Sequence, residues 1–371
     1  MKALFIGPYR QNDGWGNAAK HYAKALSTCC EELSIRPIYM GSSFSDCDED
    51  LLEYEFNDTR DYDVVIQNCL PHLVDYNGNH KNILLCHLET SELDYTSWPS
   101  RAMLMDEVWV PSYANKKSLI DSGVHPKKIR VVPIPADINR YDEDGETLNV
   151  PYIEEEDFVF YFVGEYSQRK NLVALITAFH SEFEPSEPAK LLIKTNRAGV
   201  DPQTLTQQIN QKILNTKSKM RLYSSDEFYK PDILISNYLT EGQMTSIHKT
   251  CDCFVMPSHG ESWCIPAFDA MAFGNPVIAT AGIGVEEYAK DTGWMVDSYS
   301  EVVCTSDTAV RDIYTSRESW KQINIKHLRK CMREAYENKD LYKEKSEEGV
   351  EASKKYCYEE VGKIMMEGMK Q

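Results

Sequence analysis

Short apolar runs alternate with helix-length segments along almost the whole chain, and this pattern constrains the fold more than any other feature. Strand-length runs separated by amphipathic stretches build a mainly parallel sheet covered by helices on both faces. Lys2 to Gly7 reads as the first strand and Asn17 to Ser27 as the helix after it. Further strands fit Asp63 to Gln67, Asn82 to His87, Glu107 to Val110 and Lys128 to Ile134, with Asn115 to Ser122 a helix stopped by Gly123. Pro135 to Asp157 then turns acidic and proline-bearing, as an exposed linker does. Alternation restarts with strands at Phe158 to Val163, Lys190 to Lys194, Ile233 to Ser236, Cys253 to Met256 and Pro276 to Ala279. Helices fit Leu172 to Phe183, Leu205 to Leu214, Gln243 to Cys251 and Pro266 to Phe273, and from about Arg317 the chain reads as mostly helical. A length of 371 residues exceeds what one core ordinarily serves. The expectation is α/β: two Rossmann-like doubly wound domains facing a central cleft, residues 1–150 and 151–355, followed by a terminal helix at 356–371. Such a pair takes its ligand across the carboxyl ends of both sheets.

Composition narrows the partners. Forty basic against fifty-eight acidic side chains give a net charge of −18, a field that repels polyanions, so nucleic acid is not expected. The apolar runs are of strand length and the first residues lack a signal-peptide pattern, which reads as a cytoplasmic chain. The local cluster Lys127, Lys128 and Arg130 leaves peripheral membrane contact open. Eleven cysteines are present, but Cys69, Cys86, Cys253 and Cys264 lie inside apolar segments, the signature of reduced core thiols. Neither Cys-x-x-Cys nor His-Glu-x-x-His occurs, so no metal and no resident cofactor is called for.

The segment from His259 to Ala279 carries the most chemistry. A strand ends near Pro257, a tight loop holds Glu261, Pro266 suits a first helical turn and Gly274 ends that helix before another strand. Free amides at the helix start, near Ser262, Trp263, Cys264 and Ile265, can hold ligand oxygens while Glu261 and Asp269 accept hydroxyl hydrogens. The segment resembles the Glu-x7-Glu signature of retaining glycosyltransferase family four. Here the second acid is Asp269, one methylene shorter than the usual Glu, and Cys264 stands where the family has glycine, which narrows the donor-sugar space. Four other segments resemble the same family. They are Gly14-Trp-Gly16-Asn17; Glu89-Thr-Ser-Glu92 with Asp106 to Ser112; Gly123 to Pro133; and Phe162-Val-Gly164 leading to Arg169-Lys170-Asn171, with Glu165 where many relatives carry Arg.

The resemblance implies a GT-B fold and a retaining, metal-independent transferase using a nucleoside diphosphate sugar, of UDP or GDP type, and a glycan-type acceptor. Glu261 would contact the transferred sugar, Asp269 the ribose hydroxyls, Arg169 and Lys170 the diphosphate, and Gly14 and Gly16 would let backbone approach phosphate and acceptor. His87 would line the sugar site, and the last helix would cross back onto the first domain. Taken without their context, these residues have plainer readings: a loop acid and a helix-cap acid, a solvated cation pair, a core histidine, a packing Trp15. Two other functions stay in view. One is a nucleotide-sugar-binding protein without turnover. The other is an NAD(P)-dependent oxidoreductase, opposed because Gly14 lies seven residues past Gly7 and no acid ends a second strand at Ile38 to Met40.

Overall fold

The structure, a computed structural model, describes residues 1–41, 44–146, 148, 150–303 and 315–370. The first half runs β1 (Lys2–Gly7), α1 (Gly14–Ser27), β2 (Glu32–Pro37), α2 (Leu52–Phe56), β3 (Val64–Asn68), β4 (Lys81–Leu85), α3 (Trp98–Leu104), β5 (Glu107–Val110), α4 (Tyr113–Asp121) and β6 (Ile129–Val131). The second runs β7 (Phe158–Glu165), α5 (Leu172–Glu182), β8 (Ala189–Asn196), α6 (Pro202–Met220), β9 (Asp232–Ile235), α7 (Glu241–Thr250), β10 (Cys253–Met256), α8 (Ile265–Ala272), β11 (Val277–Thr280), α9 (Glu286–Ala289) and β12 (Trp294–Val296). A hairpin of β13 (Ser298–Val303) and β14 (Ser319–Ile323) follows, then α10 (Ile325–Glu337), α11 (Lys339–Ser353) and α12 (Tyr358–Lys370).

Each half folds into one six-stranded sheet, ordered β2-β1-β3-β4-β5-β6 and β12-β11-β10-β7-β8-β9, and every pairing within them is parallel. β7 explains why the second sheet forms: Phe158 to Val163 is apolar at every position and buried at every position, as a central strand covered on both faces must be. Strand order reverses between β1 and β3 in the first sheet and between β7 and β10 in the second. Those two switch points open the crevices where doubly wound sheets bind ligands.

Three expectations change. The second strand is Glu32–Pro37 rather than residues 38–40, because Leu33 and Ile35 alternate inward beside β1 until Pro37 removes a ladder donor. The glycine segment Gly14 to Gly16 is not a loop. Asp13 accepts from the Gly16 amide at 2.8 Å, and that cap starts α1 at Gly14, three residues early. Residues 319–323 form β14 rather than helix, burying Trp320 and Ile323. The described cysteines are all free thiols.

The halves touch through side chains and backbone. Ser91 donates its amide to the Ser319 carbonyl at 3.0 Å, and the Tyr113 amide donates to Glu287 at 2.8 Å. A Cβ on Gly260 would sit 1.9 Å from the Glu89 carbonyl oxygen, so only glycine permits this approach. α12 packs against α1, and the Lys81 ammonium donates to the Gly368 carbonyl at 2.5 Å.

Candidate active site

The loop after β7 and the loop after β10 are drawn together by hydrogen bonds. Asn171, in the left-handed conformation at the N-cap of α5, donates its side-chain amide to the Pro257 carbonyl at 3.2 Å, and the Arg169 carbonyl accepts from the His259 amide at 2.8 Å. This zipper brings Arg169, Lys170 and Glu261 into one cluster. Lys170 Nζ lies 2.8 Å and Arg169 Nη1 2.7 Å from the same Glu261 carboxylate oxygen. Glu261 is only 6% exposed. Burial pushes its carboxyl up, but the Arg169 and Lys170 cations outweigh that and hold it well below the usual carboxylate range, so it is ionised. Arg169 also reaches across to the first domain, where its Nη2 lies 2.9 Å from Glu89.

The loop then enters α8 through Cys264, whose φ of 74° is left-handed backbone. Glycine adopts that conformation without strain, whereas a Cβ there costs about 1–2 kcal/mol. The sequence-based expectation of a row of free amides here is reduced: Ala267 and Phe268 donate to the Cys264 carbonyl at 3.1 Å and Pro266 has no N–H, which leaves the Ile265 amide outside the ladder of α8, four residues after Glu261. The Tyr288 hydroxyl donates to the carbonyls of Trp263 and Cys264 and pins the turn.

Asp269, further along α8, has its own partners. Tyr141 of the linker donates its hydroxyl at 2.7 Å, and Arg140 lies 3.8 Å away while also facing Glu241 at 3.3 Å. Arg140 thus ties the start of α7 to α8, with Tyr141 packed against Phe268 and Phe273. The two carboxylates that the sequence places on one crevice therefore belong to two separate hydrogen-bonded sets. Arg140 and Tyr141 were not singled out from the sequence, since nothing near them marks a partner 128 residues away.

In the first domain, Gly14, Gly16 and Trp15 form the first turn of α1. A Cβ on Gly16 would lie 1.9 Å from the Gln11 carbonyl oxygen, while Gly14 faces open space. The Trp15 ring meets the His87 ring edge-on at 4.7 Å between centroids. His87 is buried, which pushes its imidazole down to about 3 and keeps it neutral. Beside it, Asn68 ends β3 with its Oδ1 buried and without a hydrogen-bond partner, a residue the sequence reading passed over. In the basic cluster, Arg130 pairs with Glu107, Lys128 donates to the Met103 and Met105 carbonyls, and Lys127 is exposed.

Among the described residues, no three His, Cys, Asp or Glu side chains are grouped to hold one ion, and no helix is long and apolar enough to cross a membrane.

Residues 145–327, just under half of the chain, match the family model described as glycosyl transferases group 1. A D-inositol 3-phosphate glycosyltransferase of Rhodococcus opacus is 26% identical over 182 residues, which is 48% of this chain and 38% of that protein's length. Among solved structures, Anabaena HepE in complex with UDP and glucose superposes with a TM-score of 0.66 at 12% identity, covering 100% of this chain and 99% of that one. An E. coli trehalose-6-phosphate protein bound with UDP-2-fluoro glucose gives a TM-score of 0.68 at 10% identity, covering 100% and 99%. Sucrose-phosphate synthase of Thermosynechococcus elongatus gives 0.64 at 14%, covering 100% and 98%. At such identities the likeness is one of fold. By architecture the chain is a GT-B protein of two Rossmann-like domains, and its second half is similar to the glycosyl transferases group 1.

Proposed function

We propose that this chain is a retaining glycosyltransferase moving a hexose-type sugar from a nucleoside diphosphate sugar, of UDP or GDP type, to a hydroxyl of a glycan, lipid-linked sugar or glycoside. The observation that carries the reading is the joining of Glu261, Arg169 and Lys170 at the switch point of the second sheet. A buried carboxylate matched to two cations there suits a ligand with a polyhydroxylated end and a doubly charged middle.

In this reading the bond between the sugar C1 and the diphosphate oxygen breaks, and its electron pair stays on the diphosphate. Arg169, Lys170 and the amino end of α8 stabilise that charge. The acceptor oxygen bonds C1 on the same face, and its proton passes to the departing phosphate oxygen. Glu261, ionised, accepts hydrogen bonds from the sugar hydroxyls and orients the ring. Asp269 keeps lone pairs free beyond Tyr141 for ribose hydroxyls, and neutral His87 lines the side that faces the acceptor. Two protein cations supply the charge that a metal ion would otherwise bring, so transfer is expected to survive exhaustive chelation. Donor entry also asks Arg169 to exchange Glu89 for phosphate, which couples binding to the contact between domains.

The deciding experiment incubates the chain with UDP and GDP sugars and a panel of glycoside acceptors, and follows product configuration by NMR. Transfer with retained anomeric configuration, unaffected by EDTA, is the expected result. Inversion, or loss on chelation with recovery on adding magnesium or manganese, would overturn the corresponding part. Nucleotide-sugar binding without turnover would favour the binding-protein reading.

A further inference from the structure

Four lysines are buried in the second domain, and three of them are paired. Lys170 meets Glu261, Lys217 meets Asp232 and the Lys230 carbonyl, and Lys230 donates to the Pro185 and Glu187 carbonyls. Lys194 is the exception. It is 5% exposed and makes no hydrogen bond or ion pair with any described residue. Its stem is buried while its ammonium, which is not closed off from solvent, is left to donate outward, where a ligand can accept from it. The next residue, Thr195, is fully buried and its hydroxyl is also without a partner. The end of β8 thus holds two consecutive polar groups without protein partners, on opposite faces of the sheet, and Lys194 is the one that still reaches solvent.

Their position points to the donor crevice. Lys194 lies opposite Val163 of β7 and Ile235 of β9, two residues short of the end of β8. It shares a sheet face with Leu192 and with the latter's cross-strand partner Tyr161, whose hydroxyl bonds His248 of α7. That face is the one α7 covers, and Arg140 links the start of α7 to Asp269 on α8. Glu261 follows β10 and the Arg169–Lys170 pair follows β7, so a donor with its sugar and diphosphate there continues over the next strand, β8. Lys194 is two strands from β10, about 10 Å, which is the reach of a nucleoside beyond its diphosphate.

We infer that Lys194 is a specificity-determining residue of the donor site, donating to a ring carbonyl of the nucleobase and so selecting keto bases over amino bases. An ammonium offers three donors and no acceptor. It matches the oxygen at C4 of uracil or C6 of guanine, and it repels the amino group that cytosine or adenine carries at the same place. The diphosphate already has Arg169 and Lys170, which leaves the base as the group Lys194 serves. Burial pushes the Lys194 ammonium down to about 8, so it stays largely charged at neutral pH. The inference rests on the donor-site reading proposed above.

The test is calorimetry of UDP against CDP, which differ at C4 and in the proton on the adjoining N3, repeated with GDP against ADP. The wild-type protein should prefer the keto member of the pair it binds by tenfold or more. Lys194→Met should weaken that member about ten- to a hundredfold, leave the amino member little changed and keep or raise the melting temperature. Lys194→Gln, which can present either a donor or an acceptor, should bring the ratio near one while retaining binding, and it answers the question even if the methionine variant folds poorly. Equal losses for both members, or an unchanged ratio in both variants, overturn the base contact while leaving the donor site intact. Failure of wild type to bind any of the four nucleotides overturns the donor-site reading and this inference with it.

Discussion

The two sheets are built alike and equipped differently. Both are six-stranded, parallel and doubly wound, yet the crevice of the second is fringed by Arg169, Lys170 and Glu261 and that of the first by Gly14, Trp15, Asn68 and neutral His87. A diphosphate must have its charge met by cations and amides, whereas a neutral hydroxylated acceptor asks for ring faces, carbonyls and room. Under the proposed function the same scaffold would serve two kinds of ligand through the residues at its strand ends.

The sharpest way to break this comparison is to remove charge from the second crevice alone. Glu261→Gln should lower transfer on the order of 10² to 10³-fold while leaving affinity for the free nucleoside diphosphate nearly constant, as turnover beside calorimetry would show. Retained turnover would mean that the carboxylate serves only to pair its cations. Arg169→Ala and Lys170→Ala should each slow turnover on a similar scale and also weaken the nucleoside diphosphate, with less effect on the bare nucleoside. Arg169→Ala additionally removes the link to Glu89, so small-angle scattering should report a more open molecule than for Lys170→Ala.

A smaller effect separates Asp269 from Glu261. Asp269→Asn should weaken nucleotide and nucleotide sugar alike by about 1.5–3 kcal/mol, and Tyr141→Phe, which removes the donor that orients Asp269, by about 1 kcal/mol. Asp269→Glu tests the shorter side chain: tolerance would show that the backbone has not shifted inward to meet the ligand. Equal, purely stability-related losses in Glu261→Gln and Asp269→Asn, with nucleotide affinity intact, would return both acids to structural duty.

The smallest effect is on stability against pH, and it separates the histidines from Glu261 by window. His87, pushed down to about 3 by burial, is neutral when folded and takes a proton when unfolded below about 6.5, so its contribution falls as pH drops from there towards 3. Half-buried His21 and buried His248, both pushed down to about 4, act in the same direction. Glu261 is held low, so its contribution is full above the ordinary carboxylate range and is lost only as pH falls below it. The melting temperature should fall by a few degrees between pH 7 and 5, and the Glu261→Gln difference should appear unchanged across that interval. A flat profile from pH 7 to 5 would contradict the neutral burial of these histidines.

Most of the second crevice was legible in the sequence because its chemistry is local. A strand, a short loop and a helix start follow one another within a dozen residues around Arg169 and around Glu261, and backbone geometry there leaves little freedom about where the side chains gather. The first domain was less legible: its glycines announced a loop, but a single cap from Asp13 turned them into helix. Likewise, residues 319–323 joined a hairpin against the neighbouring loops instead of the helix downstream.

What the sequence determined by itself is therefore the α/β architecture, the two-sheet division and the placing of two cations and an acid on the loops after β7 and β10, all written in periodicity and short-range motif. Tertiary structure alone decided that Arg169 serves carboxylates from both domains, that Asp269 answers to Tyr141 and Arg140, and that Lys194 is buried with no partner. The physical reason is that pairing and desolvation depend on which distant segments close over a side chain. No pattern of neighbours along the chain records that closure.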